Sequence, residues 1–342
     1  MAKSNSTLGI DSRNYLLPRV DQGDISKWLT SAETFYKNKR DYQTLLQAYA
    51  ERLSDRQEML FAGRRQALLL IFQAMDAAGK DSTIKATLTG INPQGCDVTS
   101  FRAPSERDLS HDFLWRAQRH LPMRGMMAVF NRSYYEDVLV VRVHPEYLAG
   151  AGMGHRMNDL ASLWRERYAS IVDFESHLNR NNTRVVKFFL NVSPEEQRKR
   201  LIARLDDPTK HWKFDPTDVA ERQHWPDYMQ AYEECLRATH TEASPWYVIP
   251  ADDKENMRLI VAHILQDTLD GMGLSYPATS VDFSEQADVW RKALLGDDVG
   301  GKGGNGKGNG KPKEKGKNGK KADSGSRNQE ALSEGLHVAP AA

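Results

Sequence analysis

The stretch at residues 65–90, RQALLLIFQAMDAAGKDSTIKATLTG, limits what this chain can fold into more than any other. Residues 67–72 form a wholly apolar run. It is too short for a helix and suits a strand buried on both faces, as in a parallel sheet covered by helices. Ala77, Ala78 and Gly79 are small enough for a tight loop. Lys80 follows, and then a helical pattern with Ile84 and Leu88 one turn apart. Strand, small-residue loop, lysine and helix start together describe a phosphate cradle: backbone N–H groups face the anion and the helix N-terminus adds partial positive charge. The expected phosphate-binding residues are Ala77, Ala78, Gly79, Lys80, Asp81 and Ser82.

The match to the P-loop pattern G-x-x-x-x-G-K-[ST] is imperfect. Ala74 replaces the first glycine, Asp81 stands where the hydroxyl belongs, and Ser82 comes one place late. An ordinary βα turn is the plain alternative. Asp76 argues against it, because a carboxylate inside a phosphate cradle repels its ligand unless a cation lies between them. Asp76 and Asp81 therefore point to a Mg²⁺ site of hard oxygen ligands and water, which Mn²⁺ could also occupy.

Residues 130–140, FNRSYYEDVLV, follow a second apolar run at 126–130. A buried parallel strand delivers its carboxyl end to the crevice where α/β sheets bind ligands. Asn131, Arg132, Glu136 and Asp137 fall there. P-loop folds place a metal-linked carboxylate at this strand end; Asn131 holds the place here, so an anionic role passes to Glu136 or Asp137. A solvated helix start is the alternative. Further on, residues 195–216 are dense in cations: Arg198, Arg200, Arg204, Lys210 and Lys213, bounded by Asp207-Pro208 and Asp215-Pro216. Such a segment suits a helical lid that closes over phosphates, against the alternative of a solvated charged face.

Residues 96–101, 185–190 and 246–249 supply three more strand candidates, and helical patterns alternate with all five. One is expected to run from Pro104 and Ser105 to about His120, and another at 217–238 is expected to kink or split at Pro226. The class is α/β, a five-stranded parallel sheet flanked by helices in three layers. The expected organisation is an arm at 1–30, a catalytic domain at 31–296 with its lid at about 195–216, and a tail at 297–342. That tail carries GGKGGNGKGNGKPKEKGKNGKK, which has no apolar residue and is expected to be disordered. From residue 299 on, nine Lys and Arg face four Asp and Glu, so a net charge of +1 divides into about −4 and +5. The tail could hold a polyanion or simply keep the chain soluble.

Two cysteines in unrelated contexts exclude a disulfide framework and a Cys-rich zinc site, and fit a reducing compartment. The first residues lack the apolar core of a signal peptide, and no run approaches a membrane span. The expected location is cytoplasmic.

QAMDAAGKDSTIK, GINPQGCDVTSF, FNRSYYEDVLVVRVHPE, VVKFFLNVSPEEQRKRL, LDDPTKHWKF and SPWYVIPADDK resemble, in order, the motifs of the polyphosphate kinase family 2. The resemblance covers about residues 45–273. It implies a P-loop kinase fold related to thymidylate kinase, and Mg²⁺-dependent, reversible transfer of the terminal phosphoryl group of inorganic polyphosphate to a nucleotide. By it Asp76, Gly79 and Lys80 match the phosphate loop, and Arg132 matches the arginine after the third strand. The expected catalytic residues are Asp76, Lys80, Arg132, Glu136 and Asp137; the expected metal ligands are Asp76, Asp81, Glu136 and Asp137. The form of residues 131–137 resembles the single-domain subclass that accepts mono- and diphosphates, which implies AMP and ADP as acceptors and ATP as product, with guanine nucleotides open. A homo-oligomer is expected, with neither a membrane nor a specific nucleic acid as partner. The competing readings are an ATP-dependent nucleoside monophosphate kinase and a non-catalytic polyanion-binding protein.

Overall fold

The computed structural model describes residues 9–17 and 24–295. The chain divides into two compact units, Met1–Ala278 and Thr279–Ala342. The tail expected to be disordered lies outside the described residues.

The first unit is built on five parallel strands: β1 (Ala67–Gln73), β2 (Cys96–Ser100), β3 (Met127–Asn131), β4 (Thr183–Asn191) and β5 (Trp246–Pro250). Their order is β2-β3-β1-β4-β5. β1 lies at the centre, between β3 and β4, and every one of its residues is buried. A strand covered on both faces needs no polar alternation, which is why its sequence is an unbroken apolar run. β2 is an edge strand and reads accordingly, with polar and exposed positions.

The helices are α1 (Lys39–Gly63), α2 (Lys80–Thr87), the single turns α3 (Glu106–Leu109) and α4 (Trp115–Gln118), α5 (Glu136–Val143), the single turn α6 (Tyr147–Gly150), α7 (Leu160–Arg180), α8 (Pro194–Leu205), α9 (Thr217–Glu221), α10 (Trp225–Thr239), α11 (Lys254–Gly271) and, in the second unit, α12 (Phe283–Leu295). α1 and α2 pack against α11, while α5 and α7 pack with α10, giving the two helical layers of an α/β protein. The expected split at Pro226 occurs: the chain breaks after α9, and Pro226 lies in the first turn of α10. Ser193 caps α8 by accepting from Glu196 N–H, with Pro194 in first place.

Two local expectations change. The single helix from residue 104 to about 120 is two separate turns. Ser110 and His111 side chains hydrogen-bond the Arg107 carbonyl, and Asp112 accepts from Leu114 N–H, so side chains compete with the helical ladder. The arm, whose polar, turn-rich sequence is expected to run along the surface, also reaches inward, since Ile10, Leu17 and Ile25 are buried in the core. Leu17 N–H donates to the Trp246 carbonyl at 2.9 Å.

Among the described residues no helix is long and apolar enough to cross a membrane. One charge pair is fully buried instead. Lys187, in the middle of β4, donates to Glu175 of α7 at 2.5 Å, to the Thr239 carbonyl at 2.7 Å and to Tyr135 Oη at 3.2 Å. Tyr134 and Tyr135 hydroxyls donate to the other Glu175 oxygen at 2.8 and 2.7 Å. Burial pulls the Lys187 ammonium below its ordinary range, and the Glu175 carboxylate opposes that pull. The network fixes the Tyr134-Tyr135 pair, the segment between Arg132 and Glu136.

Removing one member leaves the other charged and dry. Lys187→Met should cost about 3–5 kcal/mol, read by urea denaturation at neutral pH. The double variant Lys187→Met/Glu175→Gln should recover part of that loss.

Candidate active site

The carboxyl ends of β1, β3 and β4 open onto one cleft of about 890 Å³. The loop between β1 and α2 forms its floor. Ala77 (φ 61°) and Gly79 (φ 110°) both take left-handed backbone to make the turn. At Gly79 a β-carbon would lie 3.1 Å from Met257 Cε of α11, so both conformation and space favour glycine. α2 begins at Lys80 with no side-chain cap, which leaves its first-turn N–H groups for an anion.

Lys80 is buried, and its ammonium donates to the Ala74 and Met75 carbonyls at 2.7 and 3.3 Å. Burial, then repulsion from Arg132, lowers its pKa to about 8, while Asp76, Glu136 and Asp81 pull the other way. Arg132, also left-handed at φ 63°, donates to Asp76 at 2.5 Å and lies 3.6 Å from Glu136. Those carboxylates, Glu136 foremost, raise its already high pKa. Asp81 accepts from Asn131 at 2.8 Å and lies 3.8 Å from Lys213 Nζ. Ser82 lines the cleft, but its hydroxyl donates to the Gly79 carbonyl at 3.0 Å.

Part of the cationic segment lines the cleft. α8 presents Glu196, Lys199, Arg200, Ala203 and Arg204, the i, i+3, i+4, i+7, i+8 face of a helix. Lys210, Trp212 and Lys213 join them from the following 3₁₀ turns at Pro208–Lys213. Trp212 is 79% exposed, with Lys213 Nζ 4.9 Å from its ring centre.

Three expectations need correction. Arg198 is exposed and does not line the cleft: it lies two positions from Arg200, some 200° around the helix. Arg200 is at the cleft wall, but its guanidinium is turned to protein acceptors. Nε donates to Glu196 at 2.8 Å, one terminal nitrogen to the Ala78 and Ala77 carbonyls at 2.7 and 3.3 Å, and the other to the Ala251 and Asp252 carbonyls at 2.7 and 3.0 Å. Five acceptors for five N–H donors leave no donor to grip phosphate. The carboxylates, finally, do not gather as one metal set; among the described residues no group of three His, Cys, Asp or Glu could hold a metal ion. Asp76 and Asp81 line the cleft. Glu136 faces a small cavity behind Arg132 that Asp76 also borders, with Asp218, Glu221 and Tyr232. Asp137 lines a different cavity of about 390 Å³.

That second cavity lies between α3, α4, α7 and the start of α5, and includes Phe113, Arg116, Met153, Leu163 and Arg167. Burial lifts Asp137 to about 6 there, against the pull of Arg116 at 3.7 Å and of Arg167. The two spaces meet along one loop: Ala103 lines the cleft and Pro104 the cavity.

Several cleft residues escaped the sequence reading. Arg102, Lys199, Lys254 and Asp218 all line it. Lys254 starts α11, and burial, aided by Arg200, lowers its pKa. Asp218 holds Arg204 at 3.2 Å, and burial together with Asp76 lifts it to about 6. In all, nine Lys and Arg and five Asp and Glu line the cleft. The arrangement can hold an extended, multiply charged anion along the mouth of the sheet.

The family described as polyphosphate kinase 2 matches residues 36–276. The chain is 53% identical over 286 residues to the ADP-polyphosphate phosphotransferase of Rhodopseudomonas palustris, spanning 84% of this chain and 99% of that one. It is 43% identical to the AMP/ADP-polyphosphate phosphotransferase of Meiothermus ruber, over 76% of this chain and 91% of that one. The crystal structure of polyphosphate kinase 2 from Arthrobacter aurescens superimposes with a TM-score of 0.74 at 39% identity, covering 84% of this chain and 96% of that one.

The lowered Lys80 pKa has a stability signature. Between about 8 and 10.5 the unfolded chain holds the Lys80 proton and the folded chain does not, so this group's contribution to stability rises with pH. Urea denaturation of wild type against Lys80→Met should show the difference growing in favour of wild type from pH 7.5 to pH 10, by about 3 kcal/mol at most.

Proposed function

The chain belongs to the polyphosphate kinase 2 family, and on that premise we propose that it transfers the terminal phosphoryl group of inorganic polyphosphate to AMP and ADP, yielding ADP and ATP. The observation that carries this reading is the excess of cations along the cleft, nine against five. A donor that is a bare chain of phosphates asks for charge and length and for no base pocket.

In this reading the polyphosphate lies along the lid face, against Lys199, Arg204, Lys210 and Lys213. The transferring group rests on the loop N–H groups of residues 77–82 and on Lys80. Catalysis of this kind is positioning and charge neutralisation. A bound phosphate restores to Lys80 the charge that burial and Arg132 work against. Arg132 stands between the carboxyl ends of β1 and β3, where donor and acceptor phosphates meet, and Asp76 and Glu136 hold its fork in place. The acceptor nucleoside takes the neighbouring cavity, whose volume and mixed apolar and polar lining suit a base and ribose. Asp137 belongs to that nucleoside cavity.

Asp76 and Asp81 fit Mg²⁺, which typically takes one or two carboxylates and completes its shell with substrate phosphates and water. When bound it would neutralise charge developing between the phosphates. Glu136, paired with Arg132 and not lining the cleft, and Asp137, in the other cavity, are outside this set. Both cysteines are free thiols, which agrees with work in the cytoplasm on its free nucleotides.

Polyphosphate with ADP or AMP, Mg²⁺ and no added ATP should give ATP or ADP; an ATP-dependent monophosphate kinase would be inert under these conditions. Lys80→Ala should lower kcat by about 10²–10³-fold, the scale for losing one preorganised donor. Asp76→Asn should raise the Mg²⁺ concentration needed for half-maximal rate while the melting temperature stays near wild type.

A further inference from the structure

Arg200 stands among the lid cations, yet its contacts are of another kind. We propose that it is a positioning residue that aims the phosphate loop and touches no phosphate. The proposal rests on the polyphosphate reading of the cleft and assigns this arginine a different task within it.

The geometry runs through main-chain carbonyls. Arg200 draws the Ala77 and Ala78 carbonyls toward α8 and the Ala251 and Asp252 carbonyls toward the same guanidinium. The first pair follows β1 and the second follows β5, while Arg200 itself follows β4, which separates them in the sheet. One planar fork thus ties two loops, at the carboxyl ends of β1 and β5, to the helix that follows β4. Its Nε bond to Glu196, one turn earlier, fixes the plane of the fork. Because a trans peptide is planar, with C=O and N–H opposed, holding the Ala78 carbonyl at 2.7 Å turns the Gly79 N–H away from Arg200. The direction of a loop donor is therefore set from behind. The left-handed turn at Ala77 and Gly79 needs such support, since its conformation is not one an alanine prefers.

Lysine discriminates the two roles. It keeps the charge a phosphate ligand needs and loses the planar five-donor fork that a four-carbonyl brace needs. The experiment compares full-length wild type, Arg200→Lys, Arg200→Ala and Lys213→Ala, with long-chain polyphosphate as donor and ADP as acceptor, over a series of potassium chloride concentrations. Binding of a polyanion releases counterions in proportion to the cations that touch it, so the slope of log KM against log salt counts ligands. Arg200→Lys and Arg200→Ala should keep the wild-type slope and lose kcat by about a hundredfold, the scale of misplacing a reacting group. Guanidinium ion should restore part of the kcat of Arg200→Ala. Lys213→Ala should show the reverse, a shallower slope with a smaller loss of kcat. Wild-type kcat in Arg200→Lys, or a shallower slope in either Arg200 variant, would overturn the proposal. Should Arg200→Ala not fold, Arg200→Lys alone decides. A wild-type enzyme inert with polyphosphate and ADP would instead remove the functional reading and leave the brace itself as observed.

Discussion

The ion pair between Asp76 and Arg132 is the interaction on which the cleft depends. It joins the carboxyl ends of β1 and β3, at 2.5 Å, across the line where two phosphate chains would meet. A cleft that neutralises such chains must concentrate cations, and cations repel one another when nothing is bound. At Lys80, burial lowers the pKa most, Arg132 adds to that effect and Asp76 opposes it. Asp76 is thus the counterion that lets both stay in one site. Arg132 is held by its backbone as well, for its N–H donates to the Phe72 carbonyl at 3.0 Å.

Around this pair the loop is held from two directions. Met257 of α11 crowds any β-carbon at Gly79, and Arg200 of α8 holds the carbonyls of the two residues before it. The imperfect P-loop sequence is intelligible in these terms. The pattern's glycines and hydroxyl are means to a turn, a close approach and a polar group. Here Ala77 makes a left-handed turn, Gly79 allows the close approach, and Asn131 and Lys213 keep Asp81 in place where the hydroxyl would stand.

Much of the fold was legible because burial writes itself into composition. Strands covered on both faces read as unbroken apolar runs, and β1 and β3 were found in that way, whereas the edge strand β2 shows only its β-branched residues. The loop was legible because small residues and one lysine have few other uses in that order. What the sequence hid was direction. Arg198 and Arg200 look alike in a list of cations, but a helix turns one outward and the other onto carbonyls. Glu136 and Asp137 are adjacent, and the helix start sends them to different cavities. Arg102, Lys199, Lys254 and Asp218 reach the cleft by tertiary folding, and no local spacing marks them. The break between α3 and α4 was hidden in a different way, since Ser110 and Asp112 are only mildly unfavourable in a helix by propensity, and their side-chain bonds end it.

The buried Lys187 ties distant segments of the chain together. Its acceptors come from α7 and α10, and the Trp246 ring, 5.2 Å from its ammonium, comes from β5. Until these groups are in place, enclosing the ammonium costs several kcal/mol with nothing to offset it. Residues 185–190 of β4 are otherwise apolar, so the lysine is the one residue of that run whose burial depends on these partners. The far half of the sheet is therefore energetically coupled to α7 and α10 through this one charge. The Trp246 ring that completes the enclosure lies nearly sixty residues beyond Lys187 in the chain, so a truncation before β5 would leave the ammonium without that cover.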